Sequence, residues 1–495
     1  MKLVELCREL QARRRLILAS NRGPVEYHLT EDGRLQGRRG SGGVVTALSA
    51  VSQYVELSWI ASAMGEGDRR AAEEAGDAHI KSPLPGQNLY LRFVVSPRST
   101  YHKYYNVFCN PLLWFLQHYM WNSPHTPNIN AVVYDAWHNG YVAVNKAIAE
   151  AVVREAGSIE PAPFVMLHDY HLYLAAGYIR QELPTAVLQH FTHIPWPAPG
   201  YWRLLPSVMR TEVCQKLCAN DIVGLQTRQD VRNFLSTCES FLEGAEVDHR
   251  RATVWWDGHL TMVRSYPISI DVAELQRTVR SFRVREYEEK LKPLCGEMTL
   301  VRVDRAEPSK NIVRGFRAFD MLLEEHPEFR GRLSFLAFLV PSRTHIKQYQ
   351  KYVSEINNQV ESINSRYGTG GWKPIHVFFE NNYLQAIAGM RLYDALLVNA
   401  VIDGMNLVAK EGPVVNQRDG VLILSDSVGA YEQLGKWAIS VAPTDLEGTA
   451  RALYEALTMS AEERKRRAQA LRASVEQEDI TLWLYRQFDD LMTLA

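Results

Sequence analysis

Short apolar runs recur along the chain, with helix-like segments between them. The runs are Leu16–Ala19, Phe164–Leu167, Ala186–Phe191, Ile222–Leu225, Thr299–Val303, Leu333–Leu339, Ile375–Phe379, Ala395–Val398 and Leu422–Leu424. Runs this short, apolar on consecutive positions, predict strands buried on both faces of a parallel sheet. Between them, Gly315–Glu325 sets Phe316, Phe319, Leu322 and Leu323 on one side of a helix. Strand–helix alternation of this kind predicts an α/β fold with helix-covered parallel sheets.

The pattern changes near SYPISID, Ser265–Asp271, where a proline marks a connector. A charged helical stretch, Val272–Leu291, follows and Pro293 closes it. The expected division is an N-terminal domain over 1–270 and a C-terminal domain over 271–470. The last segment, 471–495, holds TLWLYRQFDDLM from Thr481, whose helix-spaced aromatics predict a C-terminal helix packing back on the body. A chain of 495 residues is long for one core and suits two domains.

Composition narrows the function classes. The formal net charge is -1, so clusters such as Arg13–Arg15 and Arg464–Arg467 read as solvated helix faces, not as a nucleic-acid footprint. The six cysteines have neither zinc-ligand spacing nor a dense disulfide framework, and Cys214 and Cys218, four apart, read as packing. The N-terminus lacks the order of a signal peptide, and no uninterrupted apolar stretch is long enough to span a bilayer. A reducing cytoplasm, without membrane association, is the expected compartment.

In open α/β sheets ligands bind beyond the carboxyl ends of the strands, and five stretches there carry polar chemistry. Asn21 and Arg22 follow the first strand, and Gly40, Gly42 and Gly43 precede a helical run. Such glycines serve a tight loop or a phosphate held by helix amides. YYNVFCNPLLW, Tyr104–Trp114, reads as aromatic core or as the wall of a sugar pocket. HDYHL, His168–Leu172, and His193 follow two apolar runs, but H-x-x-H after a strand is not the helical H-E-x-x-H zinc motif, and no metal is expected. Arg305 and Lys310 suit a diphosphate leaving group, or else pair with Asp304 and Glu307 in a surface loop. Asp403-Gly404 precedes a helix start at Asn406–Lys410 with Glu411 beyond it. That arrangement reads as an anion and sugar site, or as a capped helix with an acid on its solvated face.

Together these stretches make the chain resemble the trehalose-6-phosphate synthases, from about Arg15 to the C-terminus. SNR, GG, YYN-x-F-x-N-x-x-LW, HDYHL, HIP-x-P, PSR and DGMNLVAKE occur in the family's order and spacing. The resemblance implies a retaining glycosyltransferase with the GT-B fold, two Rossmann-like domains with parallel sheets facing across a cleft. The N-terminal one binds the acceptor and the C-terminal one the nucleotide-sugar donor. Arg22, Tyr105, Trp114 and Arg343 match positions that hold the acceptor's phosphate and nearby sugar, and Asp169 matches an aspartate on the acceptor. Gly43 matches a glycine whose amide approaches the donor phosphate, and His193 a histidine at the donor glucose. Arg305 and Lys310 match a basic pair on the diphosphate. Asp403, Met405, Asn406, Leu407 and Val408 match the donor loop, and Glu411 the acid on the ribose. Asp169, His193, Arg305, Lys310 and Asp403 are the expected catalytic set.

The chain departs from the family's commonest pattern where R-L-D-Y-x-K-G is replaced within DRAEPSKN. That segment and SWIASAMGEGDRR resemble actinobacterial-type relatives, including the pseudo-glycosyltransferase that makes validoxylamine phosphate. The implied reaction moves glucose from UDP- or GDP-glucose to glucose 6-phosphate without a cofactor or metal. Alternatives are a sister transferase acting on glycerol 3-phosphate or a cyclitol phosphate, a non-catalytic sugar-phosphate sensor, and a hydrolase pairing Asp169 with Asp403. The family's dimers and tetramers allow a homo-dimer or homo-tetramer.

Overall fold

The structure, a computed structural model, describes residues 2–40, 51–76, 78–84, 88–158, 160–344 and 346–494. The chain divides into two compact units, Met1–Ile268 with Thr481–Ala495, and Ser269–Ile480.

The first unit is built on a ten-stranded sheet. Its centre is six parallel strands in the spatial order Leu89–Val94, Leu57–Ser62, Leu16–Ser20, Phe164–His168, Val187–Phe191 and Ile222–Leu225. By chain order this is the 3-2-1-4-5-6 arrangement of a Rossmann sheet. His259–Ser265 extends it in parallel, followed by the antiparallel strands Thr253–Trp256 and Glu246–Asp248. Ile80–Lys81 closes the other edge. Five of the six central strands, Leu16–Ser20, Leu57–Ser62, Phe164–His168, Val187–Phe191 and Ile222–Leu225, are buried at every position, as strands covered on both faces are.

The C-terminal helix, Ile480–Met492, lies on this unit. Trp483, Leu484, Phe488 and Leu491 are buried, and Gln487 Oε1 accepts a hydrogen bond from Gln189 Nε2 at 2.9 Å. The boundary expected at 471 falls inside a continuous helix, Ala461–Gln477, and the chain changes unit only at Thr481.

The second unit repeats the 3-2-1-4-5-6 order. Its six strands are Ile375–Phe378, Leu333–Val340, Met298–Arg305, Ala395–Val398, Val421–Ser425 and Ile439–Val441, all parallel. The first strand in the chain runs past Val303 to Arg305, where it still pairs with Val340. The helix Ile312–Glu325 buries Phe316, Phe319, Leu322 and Leu323 against this sheet, each side chain worth about 1.5–3 kcal/mol of transfer free energy. Val272–Leu291, expected as one helix, is two, Val272–Val279 and Phe282–Leu291. Ser281 breaks the run because its side chain caps the second helix, accepting from the amide of Val284.

In each sheet the strand order reverses between the first and fourth strands in the chain. A crevice opens at such a switch point because the flanking helices pack on opposite faces. Among the described residues no helix is long and apolar enough to cross a membrane.

Candidate active site

At the first unit's switch point, Asn21 and Arg22 leave the strand Leu16–Ser20 and Asp169 leaves Phe164–His168. Ser20 Oγ donates to the Arg22 carbonyl at 2.8 Å and accepts from Trp59 Nε1 at 2.8 Å, which fixes the turn. Arg22 is half-buried and pairs with Glu26 at 3.3 Å. Asp169 holds φ at +73°, an uncommon conformation for a side-chain-bearing residue. The surroundings impose it. Its amide donates to the Phe191 carbonyl at 2.7 Å, and its Oδ1 accepts from the His193 amide at 3.3 Å. Asp169 and His193, from two adjacent strands, are thereby brought together.

The His193 ring is half-buried, 4.6 Å from the Phe191 ring and 6.4 Å from that of Trp483. Burial, with the neighbouring His190, lowers its pKa to about 3, so the imidazole is neutral at physiological pH. Past it, the Trp196 amide donates to Asp230 Oδ1 at 2.8 Å and holds the proline-flanked chain in place.

The aromatic stretch lies on a π-helical segment, Lys103–Trp114, with Pro111 inside it. Wide turns of this kind recur at functional sites. Its two aromatic candidates separate. Trp114 is buried in the core with its ring stacked on His118 at 4.0 Å. Tyr105 keeps a half-buried ring, stacked on His171 at 5.9 Å and on Tyr101 at 5.6 Å. Tyr101, on the preceding helix Arg98–His102, donates to Asn21 Oδ1 at 3.3 Å, which joins that helix to the first strand end. Gly43 lies outside the described residues.

At the second unit's switch point, Lys310 Nζ forms an ion pair with the Asp403 carboxylate. Asn406, at φ +72°, donates from Nδ2 to Asp403 at 3.1 Å, and its Oδ1 accepts from the Ala409 amide at 3.2 Å. The turn therefore caps the helix Val408–Val415 and orients Asp403 with one side chain. Met405 is buried, while Leu407 and Val408 are half-buried at the helix start. Glu411 stands on this helix, accepting from the Tyr383 hydroxyl at 3.3 Å. Burial raises its pKa to about 7, against the smaller opposing effect of that hydrogen bond.

Arg305 and Arg343 share one partner. Glu307 is fully buried, 3.1 Å from Arg305 Nη1 and 3.2 Å from Arg343 Nη1, and its Oε1 accepts from Ser342 at 2.7 Å. Burial alone would raise this carboxyl's pKa, but Arg305, Arg343 and Lys310, with Ser342, overcome it and hold the value at about 2. Arg305 itself stays half exposed, at 52% of its side chain. The sequence also offered Asp304 as a partner for the basic pair. Asp304 instead binds Arg302 at 2.7 Å, and Arg302 donates to the Lys310 carbonyl at 3.0 Å. The sequence offered Glu307 as a partner for the basic pair, and it does pair with Arg305, but its burial, its reach to Arg343 and the part played by Arg302 were missed. The available signal was a charged residue in the middle of an apolar strand, because a buried arginine demands a built-in partner.

Among the described residues no group of three or more His, Cys, Asp or Glu could hold a metal ion.

Residues 14–493 match the sequence profile of glycosyltransferase family 20. The chain belongs to this family. It is 30% identical over 473 residues to α,α-trehalose-phosphate synthase (UDP-forming) A of Dictyostelium discoideum, covering 95% of this chain and 61% of that protein. It is 28% identical over 477 residues to validamine 7-phosphate valienyltransferase of Streptomyces hygroscopicus subsp. limoneus, covering 96% of this chain and 94% of the relative. Two solved structures are similar throughout. One is the E. coli trehalose-6-phosphate protein bound with UDP-2-fluoro glucose, at TM-score 0.81 and 25% identity over 96% of this chain and 98% of that one. The other is the α,α-trehalose-phosphate synthase (UDP-forming) of Burkholderia xenovorans in complex with glucose-6-phosphate, at TM-score 0.81 and 26% identity over 97% of this chain and 100% of that one. The fold of this family 20 chain is GT-B, each unit contributing its own Rossmann sheet.

Proposed function

We propose that this glycosyltransferase moves glucose from a nucleoside-diphosphate glucose, UDP- or GDP-glucose, to glucose 6-phosphate, giving α,α-trehalose 6-phosphate with the α configuration retained. The observation that carries the reading is the charge arrangement at the second unit's switch point. Lys310 and Asp403 pair there, and Arg305 is anchored on the buried Glu307 while remaining exposed. As the diphosphate departs, negative charge builds on it. Arg305, Lys310 and the Val408 amide at the start of Val408–Val415 stabilise that charge without a divalent metal.

In this reading Asp403, Met405, Asn406, Leu407 and Val408 hold the donor sugar and phosphates, Glu411 accepts from the ribose hydroxyls, and Gly43 and His193 complete the donor contacts. Arg22, Tyr105, Asp169 and Arg343 serve the acceptor, whose phosphate the two arginines orient, and Trp114, buried in the core, is left out of this set. The first unit is thus mainly the acceptor domain and the second the donor domain. The incoming hydroxyl attacks from the face the diphosphate leaves, so no carboxylate nucleophile takes part. The similarity to one structure bound with UDP-2-fluoro glucose and another with glucose-6-phosphate supports both substrate classes.

The second reading is a sister transferase with a cyclitol phosphate acceptor. It is favoured by the valienyltransferase relative, which this chain matches over 94% of its length. A matrix of UDP-, GDP- and ADP-glucose against glucose 6-phosphate, glycerol 3-phosphate and cyclitol phosphates, with products identified, tests both. Trehalose 6-phosphate as the main product is expected. Turnover only with another acceptor rejects the first reading.

A further inference from the structure

Beneath His193 lies a second histidine that the proposed reaction does not use. His168 is the last residue of its strand and is fully buried. Its Nδ1 is 3.3 Å from His193 Nε2, and its own Nε2 is buried with no hydrogen-bond partner. Burial keeps both imidazoles neutral, and His190, buried beside them, disfavours a cation on either ring. Two neutral rings share one hydrogen bond, so one donates and the other accepts.

The two arrangements differ in what they strand inside the protein. If His193 donated, the single proton of His168 would sit on Nε2, a buried N–H without an acceptor. If His168 donates from Nδ1, its Nε2 carries only a lone pair. Orphaned buried N–H groups are the rarer defect, because losing a donor's partner forfeits a full hydrogen bond. The second arrangement therefore holds. It leaves Nε2 of His193 as the acceptor and its one proton on Nδ1, the ring nitrogen His168 does not touch. Phe191 and Trp483 pack at the same ring and restrict its rotation.

We propose that His168 is a positioning residue that holds His193 in the Nδ1–H tautomer, so that His193 offers a hydrogen-bond donor, not an acceptor, to a sugar hydroxyl. The donor-sugar part of this inference rests on the role proposed above for His193. The tautomer itself does not.

The test uses the full-length protein labelled with 15N-histidine, read by long-range 1H–15N spectra, with His193 assigned by loss of its signals in His193→Gln. Wild type is expected to show a protonated Nδ1 and a bare Nε2 at His193. His168→Phe, which keeps a ring and removes the donor, is expected to shift His193 toward Nε2–H and to lower kcat about tenfold. His168→Asn, whose amide stands near the place of Nδ1, is expected to restore both. A wild-type His193 protonated at Nε2 overturns the inference, as does an unchanged tautomer in His168→Phe, and the wild-type spectrum decides even where a variant fails to fold. The expected tautomer combined with full turnover in His193→Gln would instead overturn the proposed role of His193 and leave the tautomer standing.

Discussion

Lys310 and Asp403 meet as an ion pair across the switch point of the second sheet, one following its first strand and the other its fourth. The two side chains are only 11% and 17% exposed, so water screens the pair weakly. In the proposed reaction Asp403 aims the ammonium, and the remaining ammonium protons serve the departing diphosphate. Lys310→Met keeps the length and removes the charge. It is expected to lower kcat about 10²- to 10³-fold, the range for losing one group that stabilises developing charge. Steady-state kinetics with the donor varied would read this, and a kcat within twofold of wild type would reject the assignment.

Arg305 differs because it is half exposed and ends its strand without packing in the core. Its removal should leave the fold intact. Arg305→Ala is expected to fold but to melt a few degrees lower than wild type, since it removes one of the cations that offset the buried Glu307 carboxylate. Turnover should be lost to the background rate. Near-normal activity would refute charge stabilisation by this residue.

Glu307 anchors two arginines from inside the protein, so its loss should reach further. Glu307→Gln is expected to destabilise the protein by about 3 kcal/mol at pH 7, because it takes the carboxylate from Arg343, whose side chain is only 12% exposed. The carboxyl titrates at about 2 in the folded protein against an ordinary value of 4.5. Its contribution is therefore full above about pH 4.5 and is lost as pH falls toward 2. Urea melts of variant and wild type should converge over that acid window, and a constant difference would contradict the pairing.

These positions show what the sequence disclosed and what it hid. Strands buried on both faces, such as Phe164–His168 and Ala395–Val398, were legible as unbroken apolar runs. Leu57–Ser62 and Leu89–Val94 were missed because Ser58 and Arg92 interrupt their runs, and both side chains bind Glu155. The polar residues beyond the strands were legible as candidates because strand ends are where such sheets bind ligands. Their partners were legible only in part: Glu307 was offered for the basic pair, but it reaches Arg343 only when two strands lie side by side. Asn311 explains one departure from the family pattern. It stands where the commonest motif has glycine and adopts φ +57°, a left-handed conformation that asparagine tolerates better than most side chains.

Glu411 predicts a pH dependence of the opposite sign to that of Glu307. Its folded pKa, about 7, lies above the ordinary 4.5, so the protonated form is favoured in the folded protein. The stability it contributes is full below about pH 4.5 and is lost as pH rises toward 7. Glu411→Gln, permanently neutral, should therefore melt higher than wild type at pH 8 and match it at pH 4.5. Ribose hydroxyls donate best to the ionised acid. UDP-glucose should bind wild type about tenfold more weakly at pH 6 than at pH 8, and calorimetry should find that difference absent in Glu411→Gln. An equal pH effect in both proteins would remove Glu411 from the ribose contact.

The donor loop depends on a glycine far from it in sequence. A Cβ on Gly429 would stand 1.9 Å from the Gly404 carbonyl oxygen, well inside any real contact, and the obstacle is backbone that no side-chain rotation relieves. The same residue's amide donates to the Asp403 carbonyl at 3.0 Å, and Val428 bridges Asp403 from its own strand end. Gly429→Ala must displace the Gly404–Met405 backbone and with it Asp403, the partner of Lys310. It is expected to cost about 1–3 kcal/mol, the range for overpacking a filled site, and to lower donor kcat/KM at least about tenfold while leaving acceptor KM within about twofold. Gly370→Ala is the matched control, because nothing lies within 4 Å of a Cβ there. Full donor kcat/KM in Gly429→Ala would show that the loop's backbone does not set the position of Asp403. Equal losses in both variants would mean that the effect is not specific to the contact with Gly404.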